Sequence, residues 1–135
     1  MDPGFDVRPI GWVSSPLTDP EQAPRQADEG APQASITFVP EVAPAVADLA
    51  VGDEVLLLTW LHLAARDVLA VHPREDPARP LTGVFSTRSQ DRPNPIGLHR
   101  VRITDVAGLT IDVDHLEALD CTPVLDVKPV LGPDR

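Results

Sequence analysis

Sixteen prolines are scattered along this chain, and no other feature restricts its secondary structure as strongly. A proline in a helix interior lacks an amide donor and costs about 3 kcal/mol. The stretches between the prolines therefore leave few places where a long helix can form. This spacing predicts a mainly β chain with at most one or two short helices.

Short apolar runs, rich in Val, Ile, Leu and Thr, occupy the intervals between proline, glycine and aspartate. Their lengths are typical of strands. A series of short strands predicts an antiparallel barrel or sandwich, and the pattern leaves both open. The runs, in chain order, are PIGWVSSP, ASITFVP, DEVLLLTWLHL, DVLAVHP, TGVFST, GLHRVRITDVAG, LTIDVDHLEAL and TPVLDVKPV.

Two of these runs show the alternation of a strand with one buried face. In HRVRITDV, Val101, Ile103 and Asp105 are predicted to face away from the neighbouring arginines. In LTIDVDHL, His115 is predicted to share the inward face of Val113, and Leu116 is predicted to lie on the opposite, outward face with Asp114. The DVAGLT segment between the two runs predicts a hairpin turn at Ala107–Gly108.

Three other segments interrupt the strand pattern. PEVAPAVADLAVGDE is rich in alanine and predicts a short helix that ends before Gly52. DPEQAPRQADEGAPQA and HPREDPARPL combine proline with charged residues and predict loops. Because no linker and no internal repeat divides the chain, we expect residues 1–135 to form a single domain.

Charge and cysteine usage limit the classes of function and compartment. The formal net charge of −10 argues against broad, nonspecific nucleic-acid binding but leaves room for a local basic site. No apolar run approaches the about 20 residues that span a bilayer, and the N-terminus lacks the pattern of a secretory signal. The lone Cys121, expected to be a small buried residue, fits a reducing and hence cytoplasmic compartment.

Several common functional motifs are absent from the sequence. No glycine-rich dinucleotide fingerprint and no phosphate-binding G-x-x-x-x-G-K-[ST] loop occurs. Four histidines and one cysteine show no recognised zinc spacing, so we predict no metal site. His62 and His72 are interpreted as structural or exposed side chains.

The segment GVFSTRSQDRPNPIGLHRVRI, residues Gly83–Ile103, carries four of the eleven basic residues beside a single acid. Two prolines in the R-P-N-P sequence hold Arg92 and Asn94 in extended conformations, so the loop is preorganised. Arginine binds carboxylate or phosphate in a planar, bidentate manner, and the asparagine amide both donates and accepts. The residue types alone fit an anion site and a purely structural turn equally well.

The order of residues in this segment closely resembles the signature of the TrmO-like (TsaA-like) family, G-x-F-[AS]-T-R-S followed by R-P-N-P-I-G. Three further pieces are similar to family elements and occur in the family's order. They are IGWVSSP with PRQ near the N-terminus, LTWLH at Leu58–His62, and LEALDCTPVLDVKPVL at Leu116–Leu131. The resemblance covers the chain from about Ile10 to Leu131.

The resemblance implies an S-adenosylmethionine-dependent methyltransferase built on a small antiparallel β-barrel instead of a Rossmann sheet. The family's reaction is N6-methylation of threonylcarbamoyladenosine at tRNA position 37. Its members form homodimers with the cofactor near the subunit interface. We therefore expect a cytoplasmic homodimer that binds tRNA and no membrane. The chain is expected to be one TrmO-like domain without the C-terminal domain of longer members.

The family motifs also assign a cofactor site by position. S-adenosyl-L-methionine carries a carboxylate, for which Arg25 or Arg88 is a plausible partner. The backbone at Leu116–Leu119 or the Gln26 amide would bind the edge of the adenine. The full set implied by the resemblance is Pro24, Arg25, Gln26, His62, Leu63, Arg88, Leu98, Leu116, Glu117, Ala118, Leu119 and Asp120.

Five residues are candidates for catalysis or substrate binding. Methyl transfer is an in-line displacement, so positioning is expected to supply most of the catalysis. A proton must leave the acceptor nitrogen, and Asp126 or Asp120 is a candidate to accept it. Lys128 or Arg92 can pair with the threonyl carboxylate or a tRNA phosphate, and Asn94 can bind a base edge.

Two departures from the family pattern leave the acceptor open. Cys121 stands where glycine is usual, so a positive φ there would be costly and we expect the loop to be slightly reshaped. Val130 replaces a common tyrosine, which removes an aromatic ring that can stack. With the acidic balance, these changes keep two alternatives to the tRNA enzyme. One is a methyltransferase for a small-molecule acceptor, and the other is a noncatalytic cofactor-binding module.

Overall fold

The secondary structure follows the predicted series of apolar runs. The computed structural model describes residues 3–21 and 30–132, and within these ranges each run contains one strand. Two runs form strands of only two residues, and a 3-10 turn follows each of them closely. The strands are β1 Gly11–Ser14, β2 Ala34–Phe38, β3 Glu54–Trp60, β4 Ala70–Val71, β5 Thr82–Gly83, β6 Ile96–Ala107, β7 Thr110–Val113 and β8 Pro123–Pro129.

Six of these strands form a closed barrel in the order β1-β2-β7-β6-β3-β8. Every neighbouring pair is antiparallel, and β8 pairs with β1 to close the ring. The mainly β prediction is therefore confirmed, and the open choice between barrel and sandwich resolves to a barrel. Closure leaves no unpaired edge among these six strands.

Helices in the described residues are short, as the prolines predicted. A 3-10 turn at Pro40–Val42 leads into the one α-helix, α1 at Ala43–Val46, in the segment predicted to be helical. Both elements begin with a proline near their first position, where the missing amide is not needed. Two more 3-10 turns lie at Pro73–Glu75 and Val84–Ser86. None of the helices in this part of the chain is long and apolar enough to cross a membrane.

The barrel interior is filled by alternate residues of the strands. Leu57, Ile36, Ile103 and Ile111 are fully buried at its centre. Side chains at the intervening positions face outward, so Arg100 and its neighbours on β6 lie on the surface. This period of two is what the sequence alternation predicted.

The alternation fails at two of the predicted positions. Asp105 was predicted to share the inward face of β6, but a register shift between Ile103 and Asp105 turns it to solvent. His115 was predicted to continue the inward row of β7, but the strand ends at Val113 and His115 has a φ of 42°. Leu116, predicted outward, is consequently fully buried.

The hairpin between β6 and β7 forms one residue later than predicted. Ala107 pairs with Thr110, so Gly108 and Leu109 are the two turn residues. Gly108 has a φ of 62°, which a two-residue turn of the II′ type requires at its first position. Glycine adopts this conformation without the steric cost of a Cβ.

Two connections position the candidate site. The first, residues 61–95, leaves the barrel after β3, forms the small β4–β5 sheet and returns at β6; it is called the excursion loop below. The second, residues 114–122, joins β7 to β8, which lie on opposite sides of the ring. Its Leu116 and Ala118 belong to the core, so this covering segment closes one end of the barrel.

Candidate functional site

Arg92 braces the turn that contains the T-R-S motif. Its guanidinium donates to the backbone oxygen of Val84 at 2.8 Å, of Ser89 at 3.1 Å and of Thr87 at 3.2 Å. The accepting residues lie on both sides of Arg88, whose own side chain is exposed. Arg92 therefore fixes the backbone that presents Arg88, and three of its five N–H donors are engaged within the loop.

Arg66 holds the R-P-N-P part of the excursion loop from the other side. Its Nε donates to the Pro93 oxygen at 2.8 Å, and its terminal nitrogen donates to Asn94 Oδ1 at 2.9 Å. The guanidinium also lies 5.1 Å from the ring centroid of Trp60. Because Asn94 accepts with its oxygen, its amide nitrogen remains available to donate to a ligand.

A buried polar trio, Thr59, His99 and Glu117, joins the barrel interior to the covering segment. His99 Nε2 lies 2.7 Å from Thr59 Oγ1, and His99 Nδ1 lies 2.5 Å from Glu117 Oε1. Glu117 Oε2 is buried and receives no hydrogen bond from any described residue. A Cβ on Gly97 would approach Thr59 Oγ1 to 2.3 Å and His99 Nε2 to 2.6 Å, so only glycine fits beside the trio.

The sequence carries a signal for His99 that lies outside the family motifs. In GLHRVRI, His99 occupies the same face as Val101 and Ile103, which were predicted to be inward. A polar residue in an inward row needs a buried partner, so the row itself indicates a network. Arg66 offered no comparable signal, because its partners lie far along the chain and depend on how the excursion loop folds.

The structure places the predicted cofactor residues in three groups. His62, Leu63 and Arg88 are exposed on the excursion loop, and Leu98 projects from the outer face of β6. In the covering segment, Leu116 and Ala118 are buried and Glu117, Leu119 and Asp120 are half-buried. The buried pair can offer a ligand only backbone. Pro24, Arg25 and Gln26 lie outside the described residues.

Asp120 is held within the covering segment. Its Oδ1 accepts from the Ser15 amide at 3.0 Å, and its Oδ2 accepts from Cys121 Sγ at 3.4 Å. The Ser15 hydrogen bond is the main reason that the pKa of Asp120 lies below its ordinary value. A lower pKa makes a carboxylate a weaker proton acceptor, so this environment favours a structural over a basic role.

Cys121 differs from its expected environment. It was predicted to be buried, but it is exposed, because it lies in the turn of the covering segment with a φ of 67°. The positive φ is the one that a glycine in this motif would adopt freely. The neighbouring Asp120, through its hydrogen bond and its charge, raises the pKa of the Cys121 thiol. The thiol is therefore less readily ionised than an isolated one.

Asp126 and Lys128 lie together on the outer face of β8. Lys128 Nζ is 3.3 Å from Asp126 Oδ2, and both side chains are about half exposed or more. Asp126 is in register with Leu58 of β3, which is itself in register with Leu98 of β6. These two catalytic candidates therefore share a face with Leu98, whereas Arg92 and Asn94 belong to the excursion loop.

The other two arginines of the segment Gly83–Ile103 belong to an ion-pair network on the barrel wall. Arg100 and Arg102 both donate to Glu54, at 2.6 and 2.7 Å. The hydrogen bond from Arg100 is the main cause that lowers the pKa of Glu54. Because one carboxylate already binds both guanidiniums, they are less available to an anionic ligand than Arg88. Among the described residues, no group of three potential ligands is arranged to hold a metal ion.

Comparison with known proteins gives a consistent family. Residues 12–133 match the family model described as "tRNA-methyltransferase O N-terminal domain". A Methanothermobacter thermautotrophicus protein named "Probable S-adenosyl-L-methionine-binding protein" is 42% identical over 123 residues, which are 91% of this chain and 88% of the relative. An Archaeoglobus fulgidus protein named "S-adenosyl-L-methionine-binding protein" is 38% identical over 122 residues, which are 90% of this chain and 86% of the relative.

A solved structure shows the same fold. The chain is similar to the crystal structure of TrmO from P. aeruginosa, with a TM-score of 0.73 and 30% identity over 95% of its length. It spans about half of that protein, 55%. The motifs, the closed barrel and these similarities agree: this chain belongs to the tRNA-methyltransferase O N-terminal domain family.

Proposed function

We propose that this protein is a methyltransferase that uses S-adenosyl-L-methionine, bound between the excursion loop and the covering segment. The observation that carries the proposal is the match to the tRNA-methyltransferase O N-terminal domain over residues 12–133. The names of the curated relatives support this cofactor. The braced loop gives the proposal a physical basis, since Arg92 and Arg66 fix it before any ligand binds.

The residues at this end of the barrel suit the charges of the cofactor. Arg88 has an exposed guanidinium that can pair with a carboxylate, and Glu117 has a buried oxygen to which no described residue donates. The cofactor, when bound, supplies an electrophilic methyl group on a positively charged sulfur. The braced backbone around Arg88 limits the ordering cost of binding, and the buried Leu116 and Ala118 keep water from beneath the site.

We propose that the acceptor is N6 of threonylcarbamoyladenosine at tRNA position 37. The excursion loop supports this choice, because it carries five of the eleven basic residues but only four of the 21 acidic ones. A polyanion can therefore approach this loop while the rest of the acidic surface repels it. Asp126, which lies on the face of Leu98, is the better candidate to accept the proton that leaves N6, because the hydrogen bond from the Ser15 amide lowers the pKa of Asp120 and makes it a weaker base.

One observation supports a second class of methyl acceptor, a small molecule. The net charge of −10 favours a small-molecule acceptor over tRNA. For that substrate the same cofactor residues would serve, and Lys128 would pair with an acceptor carboxylate. A noncatalytic cofactor-binding module would use the same site without turnover.

We also propose that two copies associate through the outer face of β3 and β6. Ile96 and Leu98 are 46% and 45% exposed there, and they pair in register with Trp60 and Leu58 on β3. Adjacent exposed apolar side chains on a barrel wall are typical of an interface. Since Leu98 is also a cofactor candidate, this interface would bring the cofactor close to the second copy.

Calorimetric titration with S-adenosyl-L-methionine tests the cofactor site. We expect Arg88→Ala to weaken binding at least tenfold, because a charge-assisted hydrogen bond is lost. Arg79→Ala is the matched control, since Arg79 is an exposed arginine of the same loop that lies 3.8 Å from Asp76. Equal affinity of the Arg88→Ala variant and the unaltered protein would show that Arg88 does not bind the cofactor. Absence of binding by the unaltered protein would overturn the proposed function.

A further inference from the structure

The buried polar trio contains two groups that the proposed site does not yet use, His99 and Thr59. His99 is 5% exposed and Thr59 is fully buried, whereas the Glu117 side chain is 13% exposed. The trio thus runs from the barrel interior to the covering segment, where Glu117 is one of the cofactor residues implied by the family motif. Buried polar groups of this kind are costly unless they are hydrogen-bonded.

The geometry around His99 fixes the position of one carboxylate oxygen. Among the described residues, the hydrogen-bond partner of Glu117 Oε1 is His99 Nδ1, which must carry a proton in order to donate. Thr59 Oγ1, at 2.7 Å from Nε2, can donate or accept, so it satisfies the ring whether the imidazole is neutral or charged. His99 therefore holds Oε1 in either protonation state.

The second carboxylate oxygen of Glu117 has no partner in the part of the chain that the structure describes. Glu117 Oε2 is buried, and no described residue donates to it. Leaving a buried carboxylate oxygen unpaired is unfavourable, so a donor from a bound ligand would be stabilising. Gly97 leaves room for the imidazole, because any side chain at that position would collide with His99 and Thr59.

We propose that His99 is a positioning residue that holds Glu117 so that Oε2 accepts a hydrogen bond from an amino group of the bound cofactor. This inference rests on the proposed function, since it takes Glu117 as part of the cofactor site. His99 does not touch the cofactor and acts only through the carboxylate. Thr59 in turn fixes the imidazole ring.

Two substitutions of His99 separate its two contacts. In His99→Asn the side-chain amide nitrogen lies where Nδ1 lies, so a donor to Glu117 is kept. In His99→Gln the amide lies where Nε2 lies, so the contact with Thr59 is kept and the donor to Glu117 is lost. We expect His99→Gln to raise the Kd for S-adenosyl-L-methionine about tenfold. His99→Asn should recover most of the affinity, and equal weakening by both would overturn the proposal.

A double-mutant cycle tests whether His99 acts through Glu117. Glu117→Gln alone should weaken binding, and adding His99→Gln to it should weaken binding little further. Simple addition of the two effects would mean that His99 only supports the fold, which would overturn the proposal. Repeating the titrations with 5′-methylthioadenosine, which lacks the amino-acid part, identifies the donor. A retained His99→Gln effect points to the adenine amino group, and a lost effect points to the α-ammonium.

A measurement on the unaltered protein covers the case in which these variants fail to fold. Nitrogen NMR of the His99 imidazole should show a shift at Nδ1 on saturation with the cofactor, because Glu117 then shares its charge with a new donor. An unchanged Nδ1 resonance at saturation would overturn the inference while leaving the cofactor site intact. Absence of cofactor binding in the same sample would instead overturn the proposed function, and the inference with it.

Discussion

At the residue scale, the motif predicted a costly backbone position that the structure contains. Cys121 stands where the family has glycine, and its φ is 67°. The chain keeps the glycine conformation and accepts the strain instead of reshaping the turn. The turn around it is anchored to the neighbouring chain, since Asp120 donates its amide to Leu17 and Cys121 donates its amide to Val13. The sequence indicated this strain because the family pattern has glycine at this position. Glycine often marks a residue with a positive φ, which is costly for cysteine.

We expect Cys121→Gly to raise the free energy of unfolding by about 1 kcal/mol, because glycine adopts a positive φ without strain. Denaturant unfolding monitored by tryptophan fluorescence measures the change. Gly108→Ala is the reciprocal control, since Gly108 has a φ of 62° and open space around its Cβ position. That variant should lose about 1 kcal/mol. A destabilised Cys121→Gly protein would show that the strain account is wrong.

At the element scale, the strands were predictable and the connections were not. Short apolar runs bounded by proline, glycine and aspartate marked every strand. Alternation marked two of them, β6 and β7, because burial on one face leaves a period of two in the sequence. The register shift after Ile103 and the burial of Leu116 were missed, because both depend on which strands become neighbours when the barrel closes. The stiff R-P-N-P loop was anticipated, but its brace by Arg66 involves a partner 27 residues away.

We expect Arg66→Ala to loosen the excursion loop without unfolding the barrel. The Arg66 hydrogen bonds to Pro93 and Asn94 would be lost, at a local cost on the order of 1 kcal/mol. Hydrogen exchange of the Arg92 amide, which donates to Ala65, should become about fivefold faster. The Ile103 amide inside the barrel should exchange at its original rate. Unchanged exchange at Arg92 would show that Arg66 does not support the loop.

At the scale of the whole molecule, the charge distribution and the outer face of β3 and β6 affect which partners the protein can bind. The sequence predicted the barrel class and the family, because several motifs in fixed order carry that information. The placement of cofactor residues in three groups was not predictable, because it depends on how the excursion loop and the covering segment meet one end of the barrel. The exposed apolar residues on β3 and β6 likewise become a single face only after the strands pair.

We expect the protein to have about twice the 14.5 kDa mass of one chain in light scattering. Ile96→Glu should reduce the mass to that of one chain, because a buried, unpaired carboxylate at an interface is strongly unfavourable. Val51→Glu is the matched control, since Val51 is 63% exposed in a turn away from this face. A single-chain mass for the unaltered protein, or an Ile96→Glu variant that still associates, would contradict the proposed interface.

Methyl transfer to tRNA can be measured directly with labelled cofactor. The unaltered protein is incubated with methyl-labelled S-adenosyl-L-methionine and tRNA that contains threonylcarbamoyladenosine, and the tRNA is then digested to nucleosides. We predict label in the N6-methylated nucleoside, and its loss in the Arg88→Ala variant but not in Arg79→Ala. Absence of label, in a sample where calorimetry shows that the cofactor binds, would contradict the proposed tRNA methyltransferase.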